Sequence, residues 1–451
     1  MKLVDYVALS GFALTAFQWR GLLATDIRLV YLIPVILLVW SAARGHFKVQ
    51  GGLLFFICLL ALISALGVAA GTTTMSAAGL QIVGISTFGF GLYSYFSARQ
   101  DRLPMIAQWF FNLMLCIAVL AIVQEGAFLL GIEPLYEVNW LIPGVGVAPL
   151  SQEGPFIRVH SVFTEPGHLG IAIAPAGFIA VRVIFFGGRL YYTRLQAWVV
   201  LLGIILTFSS VAYFGLLVSF LVAGGRRRAV RATALGGVAL GVVLLATPGV
   251  RERLFTLVQL FQGLDVAEGN VSALNMFLNS GVALQSLQNQ PLWGGGLGSH
   301  SFTYETFLRE GTVYGEAVLA FLRFMSLSEL NTQDAYSMYL RLPSELGLMG
   351  VGLVLFFIFK NRLPEEAGQL AVISNACLVF FITYCLREGH YFRYELWFFV
   401  ALYAYLPLEW ERLKGERNER SLSVREGGGL SFPVRSAGGS TGLGAQTPDG
   451  V

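Results

Sequence analysis

The chain has 451 residues, 55% of them hydrophobic and only 13% charged, and its mean hydropathy is +0.67. Soluble domains carry about twice that share of charge, so the composition rules out a disordered chain and argues against a soluble globular enzyme. A net charge of +3 gives no footing for a nucleic-acid partner.

A bilayer-spanning helix needs about 20 mostly apolar residues. Such runs predict spans near 3–19, 29–43, 52–70, 76–97 and 105–131, then 167–187, 232–247, 336–359, 367–386 and 395–410. The segment 195–223 is long for one helix and short for two. Arg182, Arg189 and Arg194 precede it, and Arg226, Arg227, Arg228 and Arg231 follow it. The positive-inside rule places both clusters in the cytoplasm, which requires a hairpin turning near Ser209-Ser210. The expected fold is therefore an all-α polytopic membrane protein with about 12 transmembrane helices and both termini inside. In that topology 20 of the 30 basic residues lie inside.

Asp5 interrupts the first span and no small-residue cleavage site follows cleanly, so this span does not read as a cleavable signal. Residues 411–451 are rich in Gly, Ser, Arg and Glu and lack an apolar period. They predict a disordered cytoplasmic tail after a membrane domain over 1–410. No internal repeat is visible, which weakens transporter readings built on duplicated halves. Cys58, Cys116, Cys377 and Cys385 all sit inside apolar runs and read as small hydrophobes, not as a disulfide framework or a zinc site.

Two outside loops are large, 132–166 and 248–335, and long loops carry function more often than connection. Within the second, 272–289 has helical spacing, starts at a serine and stops at Pro291, which predicts an amphipathic helix at the outer surface. The glycine cluster Gly294 to Ser299 resembles a phosphate cradle in composition only; without a strand before it or a lysine after it, it reads as a turn.

Three clusters carry chemistry. The first loop ends in Arg158, His160, Glu165 and His168. Pro166 suits the first position of the next helix, and Glu165 then sits at that helix's positive end. A capping role explains Glu165 alone. The company of an arginine and two histidines adds the means for proton transfer near neutral pH. The second loop ends in Asp334, Tyr336, Arg341, Pro343 and Glu345. Arg341 and Glu345 share a helix face, either as a self-satisfied pair or as a site facing a cavity. Arg323 lies in the same loop, where a solvated charge is its simplest reading. The third cluster is Arg387 to Glu395, a short charged connection with interleaved aromatics, in which Arg387 closes an apolar helix. Arginines at three outer helix ends fit an anionic, phosphorylated, lipid-borne substrate, because the guanidinium grips phosphate oxygens with a planar fork. No P-loop, paired-aspartate or zinc spacing is present in the sequence, so no metal or other cofactor is expected.

Four stretches carry a family resemblance: Arg158 to Pro166 (RVHSVFTEP), the Ser-Ser hairpin 195–223, Asn289 to Ser299 (NQPLWGGGLGS), and Arg341 to Gly350 (RLPSELGLMG). Their order resembles the O-antigen polymerase and ligase superfamily of bacterial envelopes over roughly 100–410. The resemblance implies a membrane glycosyltransferase of the GT-C kind in the bacterial inner membrane, with its site facing the periplasm. Its implied substrates are oligosaccharide repeat units on undecaprenyl diphosphate, joined by Wzy-type polymerases or moved to lipid A core by ligases. A chain-length regulator and a flippase are the implied partners, besides membrane lipids. The Arg-x10-Gly spacing of such polymerases is met by Arg341 to Gly352, while Arg158 to Gly170 is one residue longer. Where ligases carry a His-Asn pair this chain has Tyr336-Ser337, which points to a polymerase.

On this reading Arg158, Arg341 and Arg387 stabilise the departing lipid diphosphate, and Glu165 or His168 takes the acceptor proton, in an inverting and metal-independent transfer. His160, Arg323, Asp334, Tyr336 and Glu345 complete the expected substrate-binding set. The competing readings are a ligase-type transferase, a lipid-linked oligosaccharide flippase and a cell-wall polymerase of the shape, elongation and division type.

Overall fold

The computed structural model describes residues 3–17, 29–137, 151–153, 155–188, 190–223, 271–310 and 335–427, with a few isolated positions between 237 and 262. The helices are α1 (Leu3–Phe17), α2 (Leu32–Ala43), α3 (Gly51–Ala69), α4 (Met75–Ala98), α5 (Leu103–Leu129), α6 (Pro166–Phe185), α7 (Arg194–Leu206) and α8 (Ser210–Ala223). They continue with α9 (Val271–Asn289), α10 (Ser299–Glu310), α11 (Met338–Asn361), α12 (Gln369–Arg387) and α13 (Tyr394–Gly427). Between α5 and α6 lies a small hairpin, β1 (Gln152–Glu153) with β2 (Phe156–Ile157), pairing Gln152 with Ile157.

Among the described residues six helices are long and apolar enough to cross a bilayer: α3, α4, α5 with the turn before it, α6, α11 and α12. The chain is an all-α membrane protein. Helices lie at the predicted spans to within a few residues, apart from the last, which is longer, and 232–247, which lies almost wholly outside the described residues. The segment 195–223 is two helices, with the turn at Thr207, Phe208 and Ser209. Thr207 closes α7 by donating to Ile204 O at 2.7 Å, and Tyr213 returns across the turn to Ile205 O at 2.8 Å.

The last helix differs from expectation. It runs beyond 410 to Gly427, where a disordered tail was predicted. Ion pairs spaced three and four apart, Arg412 with Glu409 and Glu416 and Lys414 with Glu411, give that stretch a helical support that its lack of apolar period concealed. The described residues divide into two units, one before and one after position 408.

In the larger unit α6 is central. Every residue from 169 to 181 is buried, and α6 packs against α5, α7, α8 and α12. A helix apolar all round belongs in such a place. Large apolar side chains stay exposed along α2, α3, α5 and α11, among them Leu62, Leu120 and Phe356, as lipid contact requires. Asp5 finds a buried partner: Arg99 at 3.0 Å, with Tyr95 also donating to it at 3.2 Å.

The glycine-rich segment after α9 is more than a turn. It lies against a break in α11, where Pro343 lacks a donor and Gly347 takes φ 60° and ψ −160°. Gly295 N–H donates to Ser344 O at 3.1 Å and Gly296 N–H to Glu345 O at 2.8 Å. In return Leu348 N–H donates to Pro291 O at 2.8 Å and Met349 N–H to Leu292 O at 3.0 Å. The backbone groups released by the break are thus satisfied by the loop, as buried backbone demands. Thr72 and Thr73, just past α3, fix the other side through the Gly295 and Leu297 carbonyls. Behind this junction His300 Nε2 meets Asn279 Oδ1 at 2.9 Å and its Nδ1 meets Ser344 Oγ at 3.0 Å, all three residues fully buried.

Candidate functional site

The N-terminus of α6, the C-terminus of α12 and the 388–393 connection meet at one end of the helices. Pro166 opens α6 and Glu165 is its N-cap residue, while Arg387 closes α12. His168 lies one turn into α6. Its Nε2 stands 2.7 Å from Glu388 Oε1, and its Nδ1 stands 3.0 Å from Thr164 Oγ1. The second oxygen of Glu388 is held by Arg393 Nη2 at 3.0 Å. Burial pushes the Glu388 carboxyl up, but the attraction of Arg393 and then His168 outweighs it and holds the group well below the usual carboxylate range.

Beside this pair Arg387 reaches Glu165 Oε2 at 3.4 Å and lies over the Tyr336 ring, 4.4 Å from its centroid. Tyr336 in turn shares a 2.8 Å hydrogen bond with Ser272 at the start of α9. The Arg387 side chain is a fifth exposed and that of Glu165 more than a third, so both remain within reach of solute. A cavity of about 20 Å³ lies against Thr164, His168, Glu388, Arg393 and Glu395. That is room for a water molecule or one hydroxyl group.

Arg341 and Glu345 do form the ion pair that their spacing predicts, at 3.0 Å, and both are buried, Arg341 to 1% exposure. Arg341 also donates to Gly389 O at 2.8 Å and lies over the Tyr391 ring at 4.6 Å. In this conformation its charge ties α11 to the 388–391 connection.

His160 is buried against α5. Its backbone N–H and that of Ser161 donate to Gln124 Oε1 at 3.2 and 2.9 Å, and burial pushes its imidazole down from the ordinary value. Arg158 ends the small hairpin, with its guanidinium 3.5 Å from Ser151 Oγ. Arg323 and Asp334 lie outside the described residues.

The arrangement thus gathers Glu165, His168, Tyr336 and Arg387 at one place, with the Arg341–Glu345 pair behind it, and sets Arg158 and His160 on the neighbouring loop. Thr164, Glu388 and Arg393 were not among the candidates. A signal for Glu388 did exist: a carboxylate at the negative end of an apolar helix is unfavourable without a cationic partner. Among the described residues no group of three or more His, Cys, Asp or Glu is placed to hold a metal ion. Chemically, the site offers an imidazole backed by a carboxylate next to a guanidinium, which is a proton acceptor beside an anion stabiliser. Searched against protein-family models and against curated proteins, the chain finds no match in either.

Proposed function

We propose that this protein is a membrane glycosyltransferase that polymerises undecaprenyl-diphosphate-linked oligosaccharide units into a surface polysaccharide, acting at the periplasmic face of a bacterial inner membrane. The observation that supports it is the adjacency of His168–Glu388 to Arg387, with its Glu165 partner, at the ends of α6 and α12. Glycosyl transfer to a lipid diphosphate donor needs those two things together. An acceptor hydroxyl must lose a proton as its oxygen bonds to the anomeric carbon. The bond from that carbon to the diphosphate breaks in the same step, and its electron pair leaves as phosphate charge. Arg387 is positioned to hold that charge, with Arg158 as the second arginine, since a guanidinium keeps its charge and pairs two oxygens at once. Arg341 supports the site from behind by holding Gly389.

The orientation follows from charge. Arg99, Arg102, Arg182 and Arg194 lie at the end of the helices opposite Glu165 and Arg387. Under the positive-inside rule that end is cytoplasmic and the site is periplasmic, in a chain of about twelve spans.

The test is purified protein in detergent with its lipid-linked repeat unit, read on a gel. A ladder of regularly spaced products is expected. Arg387→Ala should cut its rate about 100-fold, and Arg387→Lys should restore only part of it, because lysine cannot pair two oxygens. Transfer only after addition of lipid A core would make the protein a ligase. Absence of transfer to either acceptor, with translocation of the lipid-linked unit in vesicles, would replace the reading by a flippase.

A further inference from the structure

The reaction proposed above needs a base, and Glu165 and His168 both stand beside Arg387. We propose that the acceptor's proton is drawn to His168 through the Thr164 hydroxyl, and that Glu388 is the positioning residue that orients the imidazole for this task. The inference rests on the glycosyl-transfer reading and assigns residues within it.

The geometry sets the direction of the proton. An ionised carboxylate can only accept, so in the neutral ring the hydrogen sits on Nε2, 2.7 Å from Glu388 Oε1. The lone pair is then on Nδ1, and Thr164 Oγ1 donates to it over 3.0 Å. Hydroxyl, imidazole and buried carboxylate in that order form the arrangement that withdraws a proton from an oxygen. Glu388 cannot turn away, because its other oxygen is bound to Arg393 and its side chain is 6% exposed. Glu165 is instead engaged with Arg387 at 3.4 Å.

The cavity beside these groups has room for one hydroxyl. The acceptor sugar offers a single hydroxyl to Thr164. As the acceptor oxygen bonds to the anomeric carbon, its proton passes to Thr164 Oγ1 while the Thr164 proton passes to His168 Nδ1. The departing diphosphate takes the electron pair, and the imidazolium later yields its proton to water. Around the imidazolium stand Glu388 on the connection and Glu395 on α13; Arg393 and His390 act on the Glu388 carboxylate, Tyr384 borders the cavity, and the Glu165–Arg387 pair lies one turn away.

The test uses the purified full-length protein, its lipid-linked repeat unit, and rates measured from pH 5 to 9. Glu388→Gln should lower kcat by at least 100-fold with KM nearly unchanged, and should displace the acid limb of the pH profile. A residue that only supported the fold would not move that limb. Thr164→Val should lose at least 10-fold and Thr164→Ser should recover most of it, a comparison that survives even if the Glu388 variant fails to fold. If Glu165→Gln displaces the acid limb instead, or Thr164→Val equals Thr164→Ser, the assignment is wrong while the glycosyl-transfer reading stands. A wild-type protein that translocates the lipid-linked unit but transfers it to neither acceptor sinks that reading, and this inference with it.

Discussion

Gly347→Ala is the substitution whose cost follows most directly from the geometry. Gly347 sits at φ 60° and ψ −160°, a region almost confined to glycine, where another residue is strained by roughly 1–3 kcal/mol. A methyl group there would stand 2.6 Å from the carbonyl carbon and oxygen of Leu292 and 2.7 Å from the Gly294 nitrogen. All three are backbone atoms, so no side chain can swing aside. The 291–296 segment must retreat, and the four hydrogen bonds it exchanges with 344–349 stretch with it. Losing two of them adds about 1–3 kcal/mol. The expected destabilisation is roughly 2–6 kcal/mol, or at least about 4 °C in apparent melting temperature at ~2 °C per kcal/mol. The assay is thermal unfolding of the purified protein in detergent. Gly352→Ala is the control: it lies on the same helix with nothing within 4 Å of the new methyl, and alanine there should be neutral or stabilising by up to ~1 kcal/mol. If Gly347→Ala melted within about 1 °C of the wild type, the interlock between the glycine loop and the broken helix would not be what holds this region.

Two further outcomes follow from buried charge. Burial, helped by the nearby Arg341 charge, lowers the His300 imidazole to about 3. The unfolded chain then binds a proton that the folded chain refuses. Stability is full above about pH 6.5 and is lost progressively as pH falls towards the folded value, by roughly 2 kcal/mol between pH 7 and 5. His300→Gln should flatten that slope; equal slopes in the two proteins would show that His300 does not contribute it. Arg341→Ala leaves Glu345 buried opposite nothing of its own kind of strength and should cost about 3–5 kcal/mol, whereas Arg341→Met combined with Glu345→Leu should be far milder. A double variant as unstable as the single one would mean that the contacts of Arg341 to Gly389 and Tyr391, not its pairing with Glu345, carry the stability.

The site shows how much was legible beforehand. Glu165, His168 and Arg387 stood out because charged groups at the ends of apolar helices are few in such a chain. Arg341 and Glu345 were visible as an i, i+4 pair, but their spacing fits a cavity-facing site and a buried clasp equally well. His160 looked like a companion of His168, and its burial comes from α5, whose Gln124 takes the backbone N–H groups of 160 and 161. The glycine cluster read as a turn, since nothing local announces a helix break some fifty residues later as its partner.

What the sequence by itself determined was the membrane, the positions of the described helices and a turn near 209–210, which the structure has at 207–209. These depend on runs of apolar side chains and on charges at their ends, which act over a few residues. What only the tertiary structure decided was the grouping of charges at the site. His168 and Glu388 stand 220 positions apart in the chain, yet their side chains meet at 2.7 Å because α6 and α12 pack side by side. A helix end presents its charge locally; which opposing charge answers it is settled by packing, since burying either one alone would cost more than the fold can spare.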